Sequence, residues 1–444
     1  MARLLVIGGS LGGLMAANLL VRAGHDVTVL ERSGSSLEGR GAGIVSHDAL
    51  VRGLARCGMN PGTKLGVEVQ DRRVLGPDGT IEAETRMPQT LTSWSRLYQI
   101  LRECLQEAAP QAMRFGVTVR SIQSEDGRVV TTSGEVLEAD LVIAADGIRS
   151  TVRAQLWPQV TPEYAGYVAW RGLCEETWLS QGCRRAIFDC FGFGLPAGEQ
   201  LIGYPVAGAD HRTESPHRAW NFVWYRPAPD LGVDARGTLQ DLLTDADGVR
   251  HEHGIAPQAV SWRHIADVRQ QARQLLAPAF AEIIEKTPQP FLQPIYDVCS
   301  SALVQGRVAL LGDAAFVARP HIGMGVTKAM DDACALTDAV TEHGATPRAL
   351  ESYERLRLPA GRHAVERARW LGAYMQASAR GQGNSAPRSA DSVMRETALD
   401  LERYPTAFRG LPGAPGQASH PHDLLTHSTG TRPAPSGLPH SAHH

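Results

Sequence analysis

Three short segments carry residues whose types and spacing suit them to hold a charged, polyhydroxylated ligand. Gly8-Gly9-Ser10-Leu11-Gly12-Gly13 fills a G-x-G-x-x-G frame with Gly8, Ser10 and Gly13. Gly8 permits the tight turn and Gly13 the close approach of helix to strand. The backbone amides at the helix start then face a pyrophosphate, whose charge the helix dipole favours. Ser10 adds a hydroxyl donor, and Glu31, at the tip of the next strand, is placed to accept hydrogen bonds from an adenosine ribose. Asp146 ends an apolar run within Asp140–Arg153 (DLVIAADGIRSTVR), and Asp313 ends another within Gly306–Ala315 (GRVALLGDAA), which leads to Gly323 and Gly325. Open α/β sheets bind ligands at the carboxyl ends of their strands, where such a carboxylate holds a sugar or ribityl hydroxyl.

The surrounding pattern supplies the elements that place these groups. Arg3–Ile7 and Asp26–Leu30 read as apolar strands and Leu11–Ala23 as a small-residue helix, a βαβ unit that belongs in a parallel sheet. Gly66–Gln89 alternates about a Gly76-Pro77-Asp78-Gly79 turn, Ser95–Ala109 is a helix, and Val117–Leu137 is a meander. Antiparallel strand signals gather between Pro162 and Pro294, among them Gly166–Leu173 and Gln200–Val206. Strand pattern of the first kind returns at Arg307–Leu311, before a helix over Gly325–Val340. The expected fold is α/β: a doubly wound, Rossmann-like dinucleotide-binding domain with an inserted antiparallel-sheet substrate domain and a C-terminal helical segment. Its limits are 1–70, 95–160 and 295–375 for the first, 71–94 and 161–294 for the second. Residues 376–410 form a C-terminal extension and 411–444 a disordered tail, rich in Ser, Gly, Pro and His and without an apolar face.

Bulk properties remove whole classes. A net charge of -3, with 44 basic and 47 acidic residues, offers no field for a phosphate backbone, so no nucleic-acid partner is expected. Seven scattered cysteines show no C-x-x-C spacing, which argues against disulfide framework and zinc site and suits a reducing cytoplasm; no metal is expected. No stretch has the roughly 20 apolar residues of a membrane span.

The glycine unit alone fits an NAD-dependent dehydrogenase as well as an FAD enzyme; the later acids decide for FAD. With an N-terminal glycine motif, a central DG at Asp146-Gly147 and a C-terminal GD at Gly312-Asp313, in that order, the chain resembles the para-hydroxybenzoate hydroxylase type of single-component flavoprotein monooxygenase. The resemblance spans roughly residues 3 to 375. YAGYVAWRG at Tyr164–Gly172 and RPHIGMGVTKAMDDA at Arg319–Ala333 look most like the 2,6-dihydroxypyridine hydroxylase branch. It implies FAD contacts from Ser10, Leu11, Gly13, Glu31 and Arg32, an arginine at Arg96 reaching the diphosphate or ribityl chain, and Asp313 as ribityl acid. The segment from Asp146 is implied to be shared with the nicotinamide nucleotide, and the amides around Gly323, Gly325 and Val326 to face the flavin ring. Phe316 and Gly323-Met324-Gly325 depart from the family's usual histidine and G-Q-G, so backbone roles carry over there and side-chain roles do not.

The implied activity is insertion of one hydroxyl into a small electron-rich arene or N-heteroarene, spending NADH or NADPH and O2 through a flavin C4a-hydroperoxide. The partners are then the arene and O2, with a homodimer as the oligomer considered. The protein must exclude water, hold the ring and raise its electron density by removing a hydroxyl proton. His321, just before the flavin-facing helix, is the expected base. Tyr204 and Arg171, on strands expected over the flavin, are candidates to bond a substrate oxygen, and His47, after the Gly41–Ile44 loop, to line the pocket. A phenolic, polyketide or purine substrate, a dehydrogenase and a non-catalytic flavin binder are the competing readings.

Overall fold

The computed structural model describes residues 1–37, 43–230, 237–380 and 388–400. Gly41, Ala42, the last part of the extension and the tail over 411–444 lie outside the described residues.

Apolar residues on both faces of a strand demand cover on both sides, and the first unit meets that demand. β1 (Arg3–Ile7) and β2 (Asp26–Glu31) pair in parallel, Leu4 opposite Val27 and Ile7 opposite Leu30. α1 (Leu11–Arg22) crosses between them and buries Leu14, Met15, Leu19 and Leu20. There follow β3 (Gly43–Ser46), α2 (Asp48–Arg56), β4 (Val67–Leu75), β5 (Ile81–Ser93), α3 (Trp94–Ala108) and β6 (Met113–Phe115). The meander is β7 (Val119–Gln123), β8 (Arg128–Thr131) and β9 (Val136–Glu138), a three-stranded sheet of its own, and it leads to β10 (Leu141–Ala144) and α4 (Thr151–Leu156). The middle of the chain supplies β11 (Glu163–Glu175), α5 (Gln181–Ile187), β12 (Cys190–Gly194), β13 (Gln200–Ala207), β14 (Arg218–Pro227), α6 (Leu239–Leu242), α7 (Trp262–Leu275) and α8 (Pro278–Lys286). The last part is β15 (Phe291–Cys299), β16 (Val304–Gln305), β17 (Val308–Leu310), β18 (Phe316–Val317), α9 (Gly325–His343), α10 (Pro347–Arg380) and α11 (Ala390–Glu396).

Two large sheets result. The first has the order β16-β17-β10-β1-β2-β6, parallel from β17 to β6, with α1 packed on α3 and α9. Its strands β1, β10 and β17 thus bring the ends carrying Gly8, Asp146 and Asp313 to one edge, although the residues are far apart in sequence. The second has the order β18-β15-β11-β14-β13-β12-β4-β5-β3, and β3 joins it through antiparallel pairing with β5.

Alternation along the second sheet divides its faces. Val168 and Trp170 of β11, Leu201 of β13, and Trp220, Phe222 and Trp224 of β14 pack with Val268 of α7 and Phe280 of α8. Each such large side chain fully buried contributes about 1.5–3 kcal/mol. The opposite face carries Tyr167, Ile202, Tyr204, Val223 and Tyr225. That face, turned away from α7 and α8, is covered in part by Met375 of α10 and Met394 of α11, and what they leave open is available to a ligand.

The chain after α10 returns to this sheet. Arg72 of β4, with no exposed surface, donates through Nη1 to the carbonyls of Met394 and Thr397 (both 2.6 Å) and through Nη2 to that of Ala398 (3.1 Å). Ala398 donates its amide to the His321 carbonyl (2.8 Å), and Asp400 accepts from the Asp48 amide (2.9 Å). Sequence pattern announced none of these contacts.

Candidate active site

At the carboxyl ends of β1, β2 and β10 lies a cavity of about 300 Å³, lined in part by Gly8, Ser10, Glu31, Arg32, Asp146 and Gly147. Gly8 has φ +105°, and a Cβ there would stand 2.4 Å from the Ala145 carbonyl oxygen. A Cβ on Gly13 would stand 1.9 Å from the Gly8 carbonyl, so Gly13 is required by contact and Gly8 by contact and conformation both. Ser10 is the N-cap of α1 without a side-chain cap bond, leaving its hydroxyl for a ligand. Leu11 and Gly13 are buried in the first turn. Glu31 accepts from the amides of Gly9 and Ser33, both at 2.8 Å, and these bonds fix the carboxylate while leaving lone pairs for a ribose. Arg32 is exposed at the rim. Trp94, which sequence reasoning passed over, also lines this cavity.

The DG segment leads onward to a second cavity. Asp146 accepts from the Val152 amide at 3.3 Å through one carboxylate oxygen, and the other is buried without a partner among the described residues. Burial raises its pKa, against the bonds from Ser150 and Val152. Arg153, buried in α4, donates to the Ala314 carbonyl (2.8 Å) and so ties the DG segment to the GD segment.

This second cavity, about 230 Å³, lies between the GD loop and the inner face of the nine-stranded sheet. Asp313, Gly323, Gly325 and Val326 line it at the start of α9. Met324, the N-cap there, gives no side-chain bond, so the first amides of α9 are left for a ligand. Asp313 opens to the cavity, yet protein crowds its carboxyl elsewhere; this burial raises its pKa, opposed by Lys328 and reinforced by Asp332. Beneath it, Lys328 bonds the Gly312 carbonyl (3.0 Å) and Asp332 (3.2 Å), and Asp332 also accepts from Arg357 (2.7 Å). Burial pushes Asp332 up, but the two cations outweigh it and hold the carboxyl below its usual range.

The sheet supplies the facing wall. Arg171 of β11, Tyr204 of β13, Tyr225 of β14 and Gln293 of β15 line it with Ile202, Val223 and Ile295. Burial raises the pKa of both phenols, Tyr225 to about 12, with Arg171 opposing, so each remains a donor at neutral pH. Among the described residues, Tyr225 Oη is buried without a partner, as is Arg171 Nε. Sequence reasoning found Arg171 and Tyr204 and missed Tyr225. Its signal was the alternation of β14, which sets Tyr225 on the face opposite Trp220 and Trp224.

Three expected positions are corrected. His321 is 1% exposed and is not among the lining residues: its Nε2 pairs with Tyr167 Oη at 2.7 Å and its ring meets the edge of Tyr225, centroids 4.4 Å apart. The loop carries Pro320 to the cavity, and the next side chain points behind the wall. Burial first, then Arg319, Arg388 and Arg171, depress its pKa to about 3, so it is a neutral imidazole. His47 also stands behind the wall, with Nδ1 on Thr327 Oγ1 (2.9 Å): Gly43, Ile44 and Val45 of β3 line the cavity, and the chain then turns away into α2, of which His47 is the N-cap. Arg96 lines neither cavity; its guanidinium reaches back to the Lys64 carbonyl (3.1 Å) and to Gln99 (3.1 Å).

An uncapped helix start, an orphaned carboxylate oxygen and a glycine turn that no side chain could enter fit the diphosphate, ribityl chain and ring of FAD. Comparison with known proteins agrees. The FAD binding domain family matches residues 1–192 and 258–368. The 2,6-dihydroxypyridine 3-monooxygenase of Paenarthrobacter nicotinovorans is 32% identical over 378 residues, covering 84% of this chain and 91% of that protein. The structure of 2,6-dihydroxypyridine-3-hydroxylase from Arthrobacter nicotinovorans superposes with a TM-score of 0.77 at 28% identity, over 88% of this chain and 96% of the other. That of Klebsiella pneumoniae HpxO complexed with FAD and uric acid gives 0.66 at 25%, over 86% and 89%. No helix among the described residues is long and apolar enough to cross a membrane. The chain belongs to the FAD binding domain family, and it is an FAD-dependent monooxygenase of the para-hydroxybenzoate hydroxylase type.

Proposed function

We propose that the substrate is a small, ring-hydroxylated N-heteroarene of the hydroxypyridine kind, seated between the start of α9 and the sheet wall. The observation that carries this reading is the wall itself: Arg171, Tyr204, Tyr225 and Gln293 offer polar atoms to ring oxygens and nitrogen, set among Ile202, Val223 and Ile295. The volume of about 230 Å³, which the flavin ring must share, is small beside drug-sized sites of roughly 300–1,000 Å³ and favours a single ring. FAD, when bound, supplies hydride acceptance from NAD(P)H and activation of O2. The protein does the rest. The amides of Gly325 and Val326 favour negative charge on the ring they face, and Asp313 holds a ribityl hydroxyl. The aliphatic side chains exclude water, and the phenols and guanidinium orient the arene.

Seven free cysteines support a reducing, cytoplasmic setting. The deciding experiment scores 2,6-dihydroxypyridine, simple phenols and uric acid for substrate-dependent NADH and NADPH oxidation with a matching hydroxylated product. We expect coupled turnover with hydroxypyridines; coupled turnover with a phenol or a purine alone would replace this substrate class.

A further inference from the structure

Ala398 reaches the substrate cavity from the far end of the chain. It lies beyond residue 368, where the match to the FAD binding domain family ends, and it lines the cavity together with Gly43, Tyr204, Tyr225 and Gly323. The residue is 2% exposed, and its methyl belongs to the apolar cluster of the inner sheet face, with Ile202, Tyr204, Val223, Tyr225 and Met394. On its other side it meets the turn before α9: a Cβ on Gly323 would stand 2.5 Å from that of Ala398. The methyl thus fills the corner where the sheet wall approaches the turn that leads into the flavin-facing helix.

The backbone that carries this methyl is held on every side. The Ala398 amide donates to the His321 carbonyl (2.8 Å), and its own carbonyl accepts from Arg72 Nη2 (3.1 Å) and Gln89 Nε2 (3.3 Å). Before it, Thr397 Oγ1 accepts from Gln200 Nε2 (3.1 Å); after it, Asp400 accepts from the Asp48 amide (2.9 Å). Ala398 has φ +49°, the left-handed region that glycine enters freely and asparagine tolerates, but where the Cβ of alanine crowds the backbone. Glycine would relax the turn, and the chain carries a methyl there instead. Close-packed walls anchored in this way yield little, so one methyl more or less at this corner changes the space left for a ring.

Resting on the reading of a single-ring substrate between α9 and the sheet, we propose that Ala398 is a specificity-determining residue, whose methyl, braced from behind by Arg72, Gln89 and the His321 carbonyl, sets the size limit for substituents on the substrate ring. A ring that carries a methyl toward this corner meets a wall that cannot move aside. Addition or loss of one methylene in an apolar pocket changes binding by about 10- to 200-fold, so a single methyl suffices for such a filter.

Glycine and asparagine separate the methyl from the turn that holds it, since both ease the left-handed backbone while one empties the corner and the other fills it. Oxidised holoenzyme of the wild type, Ala398→Gly and Ala398→Asn is titrated without NAD(P)H with 2,6-dihydroxypyridine and its 3-methyl and 4-methyl derivatives, and dissociation constants are read from the flavin absorbance. The wild type is expected to bind at least one methyl derivative about tenfold or more weaker than the parent ring, and Ala398→Gly to shrink that ratio by about fivefold or more. Ala398→Asn is expected to weaken the parent ring by about tenfold or more with FAD content unchanged. Equal binding of all three rings by the wild type overturns the proposal, and this measurement needs no variant to fold. An unchanged ratio in Ala398→Gly, a shift of both variants in one direction, or loss of FAD from Ala398→Asn overturns it equally; each of these leaves the substrate reading standing. Failure of all three rings to bind the wild type sinks the substrate reading and this proposal together.

Discussion

The two cavities recognise ligands by different means. The one at the ends of β1, β2 and β10 is built from backbone: a glycine turn, amides at a helix start, and a carboxylate fixed by the amides of Gly9 and Ser33. The one under the nine-stranded sheet is built from side chains on β11, β13, β14 and β15, closed by Ala398 from the far end of the chain. A backbone site recognises what all members of a family share, phosphate and ribose. A side-chain site changes with any substitution on its wall, so it is where substrates are distinguished.

The sharpest way to break the comparison is to add one side chain to the backbone site. A Cβ on Gly13 meets the Gly8 carbonyl at 1.9 Å, and backbone cannot rotate aside as a side chain can. Gly13→Val is expected to cost FAD binding about 3 kcal/mol, roughly a hundredfold or more in affinity. Flavin fluorescence titration of the apoprotein checks this, and a wild-type affinity would show that the turn does not need its close contact.

The same difference decides what was legible. Gly8, Ser10, Glu31, Asp146 and Asp313 announced themselves because each motif is local, a strand end followed by a turn. The meander, the hairpin about Gly76–Gly79 and the long strands were readable from alternation. For Tyr225 alternation sets it opposite Trp220 and Trp224, but only pairing with β11 and β13 tells which of the two faces meets the cavity. His321 was placed by its neighbour in the chain, Pro320, whereas successive side chains of a tight turn point different ways. The docking of Thr397–Asp400 depends on Arg72, more than three hundred residues earlier, and no local pattern encodes that bond.

Arg72 therefore gives the second test, at the far wall of the side-chain site. Arg72→Met keeps an unbranched apolar side chain, loses the guanidinium over the Phe191 ring, and leaves the carbonyls of Met394, Thr397 and Ala398 without their donor. At about 1–3 kcal/mol for each buried acceptor left unpaired, and with the segment free to lift off, the net loss is expected near 2 kcal/mol. The signature should be local: faster amide exchange and tryptic cleavage over residues 388–400, a raised KM for the arene, and an unchanged affinity for FAD. Equal loss of FAD affinity would mean that the two sites are not separable in this way.

His321 gives the smallest expected effect and the finest discrimination, since it touches the side-chain site only from behind. Removal of a general base lowers rates by about 10²- to 10⁴-fold; removal of a group that braces Tyr225 and Tyr167 is expected to cost less than about tenfold, with NAD(P)H consumption still coupled to product. Stability supplies an independent reading. The folded pKa of about 3 lies below the ordinary 6.5, so the unfolded chain binds the proton first as pH falls. The full stability of the neutral imidazole is present above about pH 6.5 and declines toward pH 3, by about 1.4 kcal/mol per unit for this one group. His321→Asn loses the bond to Tyr167, about 1 kcal/mol at pH 7.5, but also escapes the acid penalty. Denaturant titrations should therefore show the variant less stable at pH 7.5, level with the wild type roughly one unit below pH 6.5, and more stable below that. A gap that widens on acidification would mean that His321 is charged in the folded state, and a loss of hydroxylation beyond a hundredfold with peroxide released would return it to the active site as a base.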